Sequence, residues 1–416
     1  MHKATKWILL ADQGMVSAGT LATQLLIAGG IGLAQYGRFS MLVLVQLFLL
    51  SLQQAGITGM YQVLSPGMPQ QARLAYTGGV WRTELVWLGV VGLVSIPGYM
   101  LVGSQLAPGE SLVCLLNIVL FLLQDFFRRL LITEDHTRPL IILDVLNNIL
   151  QAGLLAWVYL QHTMQLIPVL WICALSYMPG LVWVLARYAP GLAAGSVKDT
   201  LRHHGLESRW MVFSALLQWF AGNFYIVAAG WWLGAAALGI LRLGQYAFGV
   251  LNVLFQAAES YLLPRSAALA ADSYGHAVQY LKSSQFKMVS ATSILLLMAV
   301  LSVQPLLLLV KIPFNHDSAT VLYGMSALYW LIACGYPVRI ALRTLRLSRA
   351  FFYGYVLTAI FGFSTAYLLI HEWKLGGVIA GLLCSQVLLL AYWVYILQHK
   401  YSFYGNYSRS AGQGQP

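Results

Sequence analysis

Charge is scarce in this sequence. Of 416 residues, 13 are acidic and 24 are Lys or Arg, so charged side chains make up 9% against 59% hydrophobic. A soluble domain carries about 25% charged residues, so a water-soluble globule is excluded and nearly the whole chain is expected inside a bilayer. Cysteine is also scarce. Cys114, Cys173, Cys334 and Cys384 all fall in apolar runs and form no CxxC or Cys/His cluster. They read as small buried hydrophobes, and neither a disulfide framework nor a metal site is expected. A GxxxxGK[ST] phosphate loop is missing, which excludes ATP hydrolysis by this chain. No cofactor and no catalytic residue is expected. Short alternating strands with polar turns are missing as well, which excludes a transmembrane barrel.

What is present is a series of apolar runs of about 20 residues or longer, the length of a membrane-spanning helix. Twelve are read, at about 7–33, 39–62, 77–101, 111–131, 140–160, 166–186, 209–232, 236–263, 286–310, 319–341, 350–370 and 375–397. Lys3 and Lys6 precede the first, whose apolar run continues past the core of a cleavable signal peptide, so it is read as a span. The fold class is all-α: a polytopic membrane protein of about twelve helices.

Connections after even-numbered spans are longer and basic, and those after odd-numbered spans are short. Of the 24 basic residues, Arg38, Lys311 and Lys374 fall on the odd side and Arg242 within a span, leaving 20 on the even side and at the termini. By the positive-inside rule both termini are expected in the cytoplasm. The net charge of +11 is spread over every such loop. Topology and anionic lipid headgroups account for it without a nucleic-acid partner. Tryptophans near span ends, such as Trp7, Trp81, Trp183 and Trp232, read as an aromatic belt.

The longest polar break, "RYAPGLAAGSVKDTLRHHGLESR", runs from Arg187 to Arg209 and separates six spans from six. Each half opens with a faint repeat. Gly37 precedes Gln54-Ala55 by 17 residues, and Gly239 precedes Gln256-Ala257 by 17. The expected organisation is an N-terminal six-helix lobe (1–190), a cytoplasmic linker (191–208), a C-terminal six-helix lobe (209–400) and a cytoplasmic tail (401–416), with the lobes around a central cavity.

Several spans carry a polar stripe. In "ALGILRLGQYAFGVLNVLFQAAESYLLP", Arg242, Gln245, Gly249, Asn252, Gln256 and Glu259 recur at helical spacing and share one face. The arginine costs about 2.5–3.5 kcal/mol on insertion scales, so a partner or a function is required. Span one carries Asp12, Gln13 and Gln24, and span two carries Arg38, Gln46 and Gln53. Span seven carries Gln218 and Tyr225. Spans four and five carry Asn117, Gln124, Arg128, Asp144, Asn147, Asn148 and Gln151. For spans four and five, hydrogen bonding between packed helices is the favoured reading. For span eight a wall of a water-filled cavity is favoured. The acids Asp12 and Glu259 are candidates for ion coupling, with simple pairing to a neighbouring cation as the alternative.

Three segments carry a family resemblance: "ADQGMVSAGTLATQLLIAGGIGLAQYGRFSM", "FLLQDFFRRLLITEDHTRPLIILDVLNNILQ" and "LQWFAGNFYIVAAGWWLGAAALGILRLGQYAFGVLNVLFQAAESYLLP". They resemble the Wzx-like polysaccharide-export flippases of the MOP superfamily, which also contains the lipid II flippases and the MATE exporters. The resemblance implies a two-lobe fold with alternating access and a cationic cavity lined by the first, second, seventh and eighth helices. It implies transport of a lipid-linked oligosaccharide on undecaprenyl pyrophosphate across the bacterial inner membrane. The partners implied are that lipid, membrane lipids, and a polysaccharide polymerase or glycosyltransferases. Arg242 and Arg38 stand where relatives carry cavity cations. Twelve spans rather than fourteen, and fewer arginines, set this chain apart from the lipid II flippases. Two other functions compete: a MATE-type drug/cation antiporter, which would favour cavity acids, and a membrane glycosyltransferase or ligase, which the short outer connections disfavour.

Overall fold

The computed structural model describes residues 3–102, 108–188, 195–272, 274–309, 314–345 and 347–401. They form eleven α-helices and, among the described residues, no strand. Helix α1 (Lys3–Gln53) continues through a π-helical segment (Gln54–Thr58) into α2 (Gly59–Leu64) and a 3₁₀ turn (Ser65–Gly67). Then follow α3 (Gln70–Val102), α4 (Pro108–Thr133), α5 (Thr137–Leu160), α6 (Leu166–Tyr188), α7 (Val197–Trp232), α8 (Ala235–Asp272), α9 (Tyr274–Leu309), α10 (His316–Thr344) and α11 (Ser348–Tyr401).

The twelve predicted spans all fall on these helices. The apolar run Gly14–Gly67 has 54 residues and Arg349–His399 has 51. As straight helices these would be about 80 Å long, far beyond the ~30 Å hydrocarbon core. Each is broken once. Gly32 has φ 77 and ψ 160 inside α1, and Lys374 has φ 47 and ψ −125 inside α11. Each break yields two spans. Four of the connections after odd-numbered spans turn on left-handed residues: Gly32, His162 (φ 54), Gly234 (φ 93) and Lys374; those after spans three and nine lie largely outside the described residues. In α7, Gly205 (φ 56) splits a short leading helix from the membrane segment, so Val197–His204 is helical within the predicted linker.

The chain divides into two compact units, one of residues 1–219 with 235–239 and one of 220–234 with 240–416. In the first, α4 packs on α6 and α5 packs on α1 and α6. Its core joins Phe126, Phe127, Leu130 and Leu131 of α4 to Val80 of α3, Leu140 and Leu143 of α5, and Leu181 and Val184 of α6. In the second, α10 packs against α9 and α11. Large apolar side chains such as Phe286 and Trp231 are 78% and 81% exposed. On helices this apolar, such faces suit lipid rather than water.

Candidate functional site

In the first unit the predicted glutamines are bonded within the protein. Gln24 is buried and accepts from the Tyr36 hydroxyl at 2.9 Å, across the Gly32 break. Gln46 donates to Asn117 Oδ1 at 2.8 Å, and Asn117 donates to the Leu170 carbonyl at 2.9 Å, linking α1, α4 and α6. Gln53 donates to the Leu122 carbonyl at 3.0 Å, while its own carbonyl oxygen is buried without a partner. Arg38 is exposed.

The polar residues of α4 and α5 are likewise engaged with neighbours. Arg128 pairs with Asp144 at 2.7 Å. Asn147 accepts from Ser176 at 3.0 Å, and Gln151 donates to Cys173 Sγ at 3.2 Å. In lipid, bonds of this kind replace those that water would supply.

The second unit explains most of the α8 stripe. Helix α10 carries Tyr329, Tyr336 and Arg343 at seven-residue spacing, opposite Gln245, Asn252 and Glu259 of α8 at the same spacing. Asn252 donates to the Tyr329 hydroxyl at 3.3 Å, and that hydroxyl donates to the Gln245 carbonyl at 3.5 Å. Tyr336 donates to Glu259 Oε2 at 2.7 Å, and Arg343 forms an ion pair with Glu259. Phe248 lies 5.8 Å from the Tyr329 ring and Phe255 5.1 Å from the Tyr336 ring. Residue numbers rise together along both helices, so they run parallel. Glu259 is thus paired with a neighbouring cation. Sequence reasoning missed the α10 half of this register. Its signal is present in the sequence as polar groups seven residues apart in an apolar run.

Arg242 differs from the rest of the stripe. It is 4% exposed. It donates to Gln245 Oε1 at 2.6 Å and to the Tyr246 hydroxyl at 2.8 Å, both on its own helix. Its Cζ lies 4.8 Å from the Tyr246 ring centroid, a cation–π contact. Its Nε is buried without an acceptor. Among the described residues no carboxylate pairs with it, so its charge is met by neutral groups alone.

On α7, Gln218 is half-buried without a hydrogen bond among the described residues. Tyr225 is buried, donates to or accepts from Thr365 at 2.7 Å, and lies against Gly381. The side chains of Asp12 and Gln256 lie outside the described residues. An apolar groove of about 530 Å³ opens between α9 and α10, lined by Leu296, Leu297, Val300, Tyr323, Ala327 and Trp330.

No family model matches the sequence, and no curated protein matches it. Solved structures do. A multidrug resistance MATE family transporter of the MOP superfamily, in its inward-facing conformation, is similar with a TM-score of 0.68 at 12% identity, over 92% of this chain and 95% of that one. The lipid II flippase MurJ, in an inward closed conformation, is similar with a TM-score of 0.66 at 9% identity, over 94% and 87%. A MOP superfamily transporter from Pyrococcus furiosus, for which a binding pocket of reversed polarity is described, has a TM-score of 0.58 at 13% identity over 97% of both chains. The chain has the fold of the MOP superfamily, that of a multi-pass membrane protein. Two of these neighbours are named as transporters and one as a flippase.

Proposed function

We propose that the chain is a flippase that moves a lipid-linked oligosaccharide, carried on undecaprenyl pyrophosphate, from the cytoplasmic to the periplasmic face of the bacterial inner membrane by alternating access. The observation that carries this reading is Arg242, a buried guanidinium met, among the described residues, by neutral groups alone and with an unpartnered Nε. A guanidinium with free donors suits a phosphate dianion, and a cationic drug would find it repulsive. The MOP fold, shared with a lipid II flippase, supports lipid transport. Its short predicted outer connections leave little room for an extracellular catalytic loop.

The fold supports a MATE-type drug/cation antiporter equally, so the test must separate the two. In a deletion strain, lipid-linked repeat units should accumulate on the cytoplasmic face and surface polysaccharide should be lost, while drug susceptibility stays unchanged. Normal polysaccharide with increased drug sensitivity would establish the antiporter instead. In the flippase reading both termini are cytoplasmic, and glycosyltransferases and a polymerase act before and after it.

A further inference from the structure

Glu84 lies on α3, seven residues past the predicted start of its span, about 10 Å along the helix axis. Its side chain is fully buried, and neither carboxylate oxygen has a hydrogen-bond partner among the described residues. No ion pair reaches it there.

Its surroundings can be placed from the packing. Trp81, three residues before it on α3, packs at a tilt against Phe126 and Phe127 of α4, with ring centroids 5.6 and 5.3 Å away. Leu88, one turn after it, packs with Ile118 and Leu122. The helices are antiparallel, so Glu84 stands at the level between Leu122 and Phe126, near Asp125. Gln53 reaches that level from α1 through its bond to the Leu122 carbonyl. Among the described residues the side-chain carbonyl of Gln53 is also buried without a donor, and the Nε1 of Trp87, three residues after Glu84, is buried without an acceptor. Glu84 and Gln53 therefore bring three buried acceptor oxygens to this level of the first unit, and no donor among the described residues reaches any of them.

The titratable groups nearby are otherwise engaged. Asp125, whose like charge acts on Glu84, is held by Arg129 at 2.8 Å and by Gln54 at 3.3 Å. Arg128 pairs with Asp144. Tyr61 of α2 gives its hydroxyl to Glu134, and His204 of α7 is bonded to Tyr76. An ionised carboxylate here would be buried, unpaired and repelled, and such groups neutralise instead. One proton removes the charge and gives the carboxyl a donor of its own. The π-helical segment Gln54–Thr58 begins directly after Gln53, and such segments concentrate at functional sites.

We infer that Glu84 is a proton-binding site of the first unit, with Gln53 as acceptor for the bound proton, and that its loading and release couple transport to the proton gradient. The coupling role rests on the transporter reading, but the site itself can be tested without any substrate. In purified full-length protein at about pH 7, the infrared difference between wild type and Glu84→Gln should contain the carbonyl stretch of a protonated carboxyl. A hydrophobic carbodiimide provides a second measurement on wild type alone. The carboxyl O–H adds across its N=C bond, with no leaving group, and the adduct rearranges to a stable N-acylurea that peptide mass spectrometry locates. Labelling of Glu84 should be at least about fivefold greater near pH 6 than near pH 9, unchanged by sodium, and absent from Glu84→Gln. Absence of both the band and the adduct would overturn the proposal. So would protection by sodium with no pH dependence, which would identify a metal-cation site. Neither readout involves sugar or export, so failure here is distinct from failure of the flippase reading.

Discussion

A β-carbon on Gly239 would stand 3.2 Å from the backbone nitrogen of Gly37 and 2.6 Å from the Leu33 carbonyl oxygen. Conversely, a β-carbon on Gly37 would fall 1.7 Å from the Ala235 carbonyl oxygen. The two glycines that open the faint sequence repeats therefore meet, and they let two helices approach backbone to backbone. The neighbouring atoms are main chain and cannot rotate away. Gly37→Ala should cost about 1–3 kcal/mol, the range for overpacking. Gly89 is the control, because a β-carbon added there would meet nothing within 4 Å. Gly89→Ala should leave stability equal or slightly raised. Thermal unfolding in detergent measures both. Equal melting temperatures for the two variants would show that the close approach is not tight.

The Glu259 site gives a coupling energy. Glu259 is 14% exposed and takes the Tyr336 hydroxyl, while its ion-pair partner Arg343 is 47% exposed. Solvent screens the half-exposed arginine, so Arg343→Ala should cost no more than about 1 kcal/mol. The buried hydroxyl–carboxylate bond is worth more, about 1.5–3 kcal/mol. In a double-mutant cycle, Tyr336→Phe and Glu259→Gln should couple by about 1 kcal/mol or more. A coupling near zero would mean that the α8–α10 register is held by the aromatic contacts alone.

The apolar segments were legible because a membrane helix must satisfy its backbone internally and keep lipid-compatible side chains over a fixed length. Both long helices break close to where the sequence separates two spans, at Gly32 and Lys374. The helix Val197–His204 was hidden in the linker, because its polar residues read as loop. The polar stripes were visible as faces, but a face does not name what lies opposite. Asn252 and Glu259 would look the same against water as against Tyr329 and Tyr336. Glu84 was illegible for the opposite reason. It is a single acid with no stripe of its own, and only its packing shows that, among the described residues, nothing answers its charge.

His204 predicts a pH effect on stability. It lies in the short helix ahead of Gly205 and is 2% exposed. Its Nδ1 lies 3.0 Å from the Gly56 carbonyl oxygen and its Nε2 lies 2.8 Å from the Tyr76 hydroxyl. A carbonyl only accepts, so Nδ1 carries the proton; in the neutral ring that burial favours, Nε2 then accepts from Tyr76. Burial holds its pKa below the ordinary histidine value, with the Gly56 bond opposing. The folded state therefore binds a proton less readily than the unfolded one. Stability is unaffected well above about pH 6.5 and falls as pH drops from there toward the depressed folded value. The melting temperature of wild type should decline over that window more steeply than that of His204→Gln. Identical pH profiles would show that His204 does not contribute.

Orientation is open to direct labelling. The basic residues predict that the segment around Lys198–Gly205 faces the cytoplasm and that Asn315, which caps α10 through its bond from Ser318 at 3.0 Å, faces outward. In a background lacking the four native cysteines, a membrane-impermeant thiol reagent added to intact cells should modify His316→Cys and spare His203→Cys. Both positions are exposed, so a reversed pattern would invert the topology rather than reflect burial.

Arg242 decides between a substrate contact and a packing role. Its intrahelical partners are Gln245 and Tyr246, which can orient a guanidinium but cannot neutralise it. An arginine retained only to pack could be replaced by a neutral residue of similar length, because its two bonds are to neutral groups. On the flippase reading the charge and the planar donor fork are both needed, since bidentate contact with phosphate is beyond a lysine. Arg242→Ala should therefore abolish export at unchanged protein level and melting temperature, Arg242→Lys should retain part of it, and Arg242→Gln should behave as Ala. Surface polysaccharide at matched protein level is the measurement. Full export by Arg242→Gln would assign the arginine to helix packing, and the phosphate would then have to be held elsewhere.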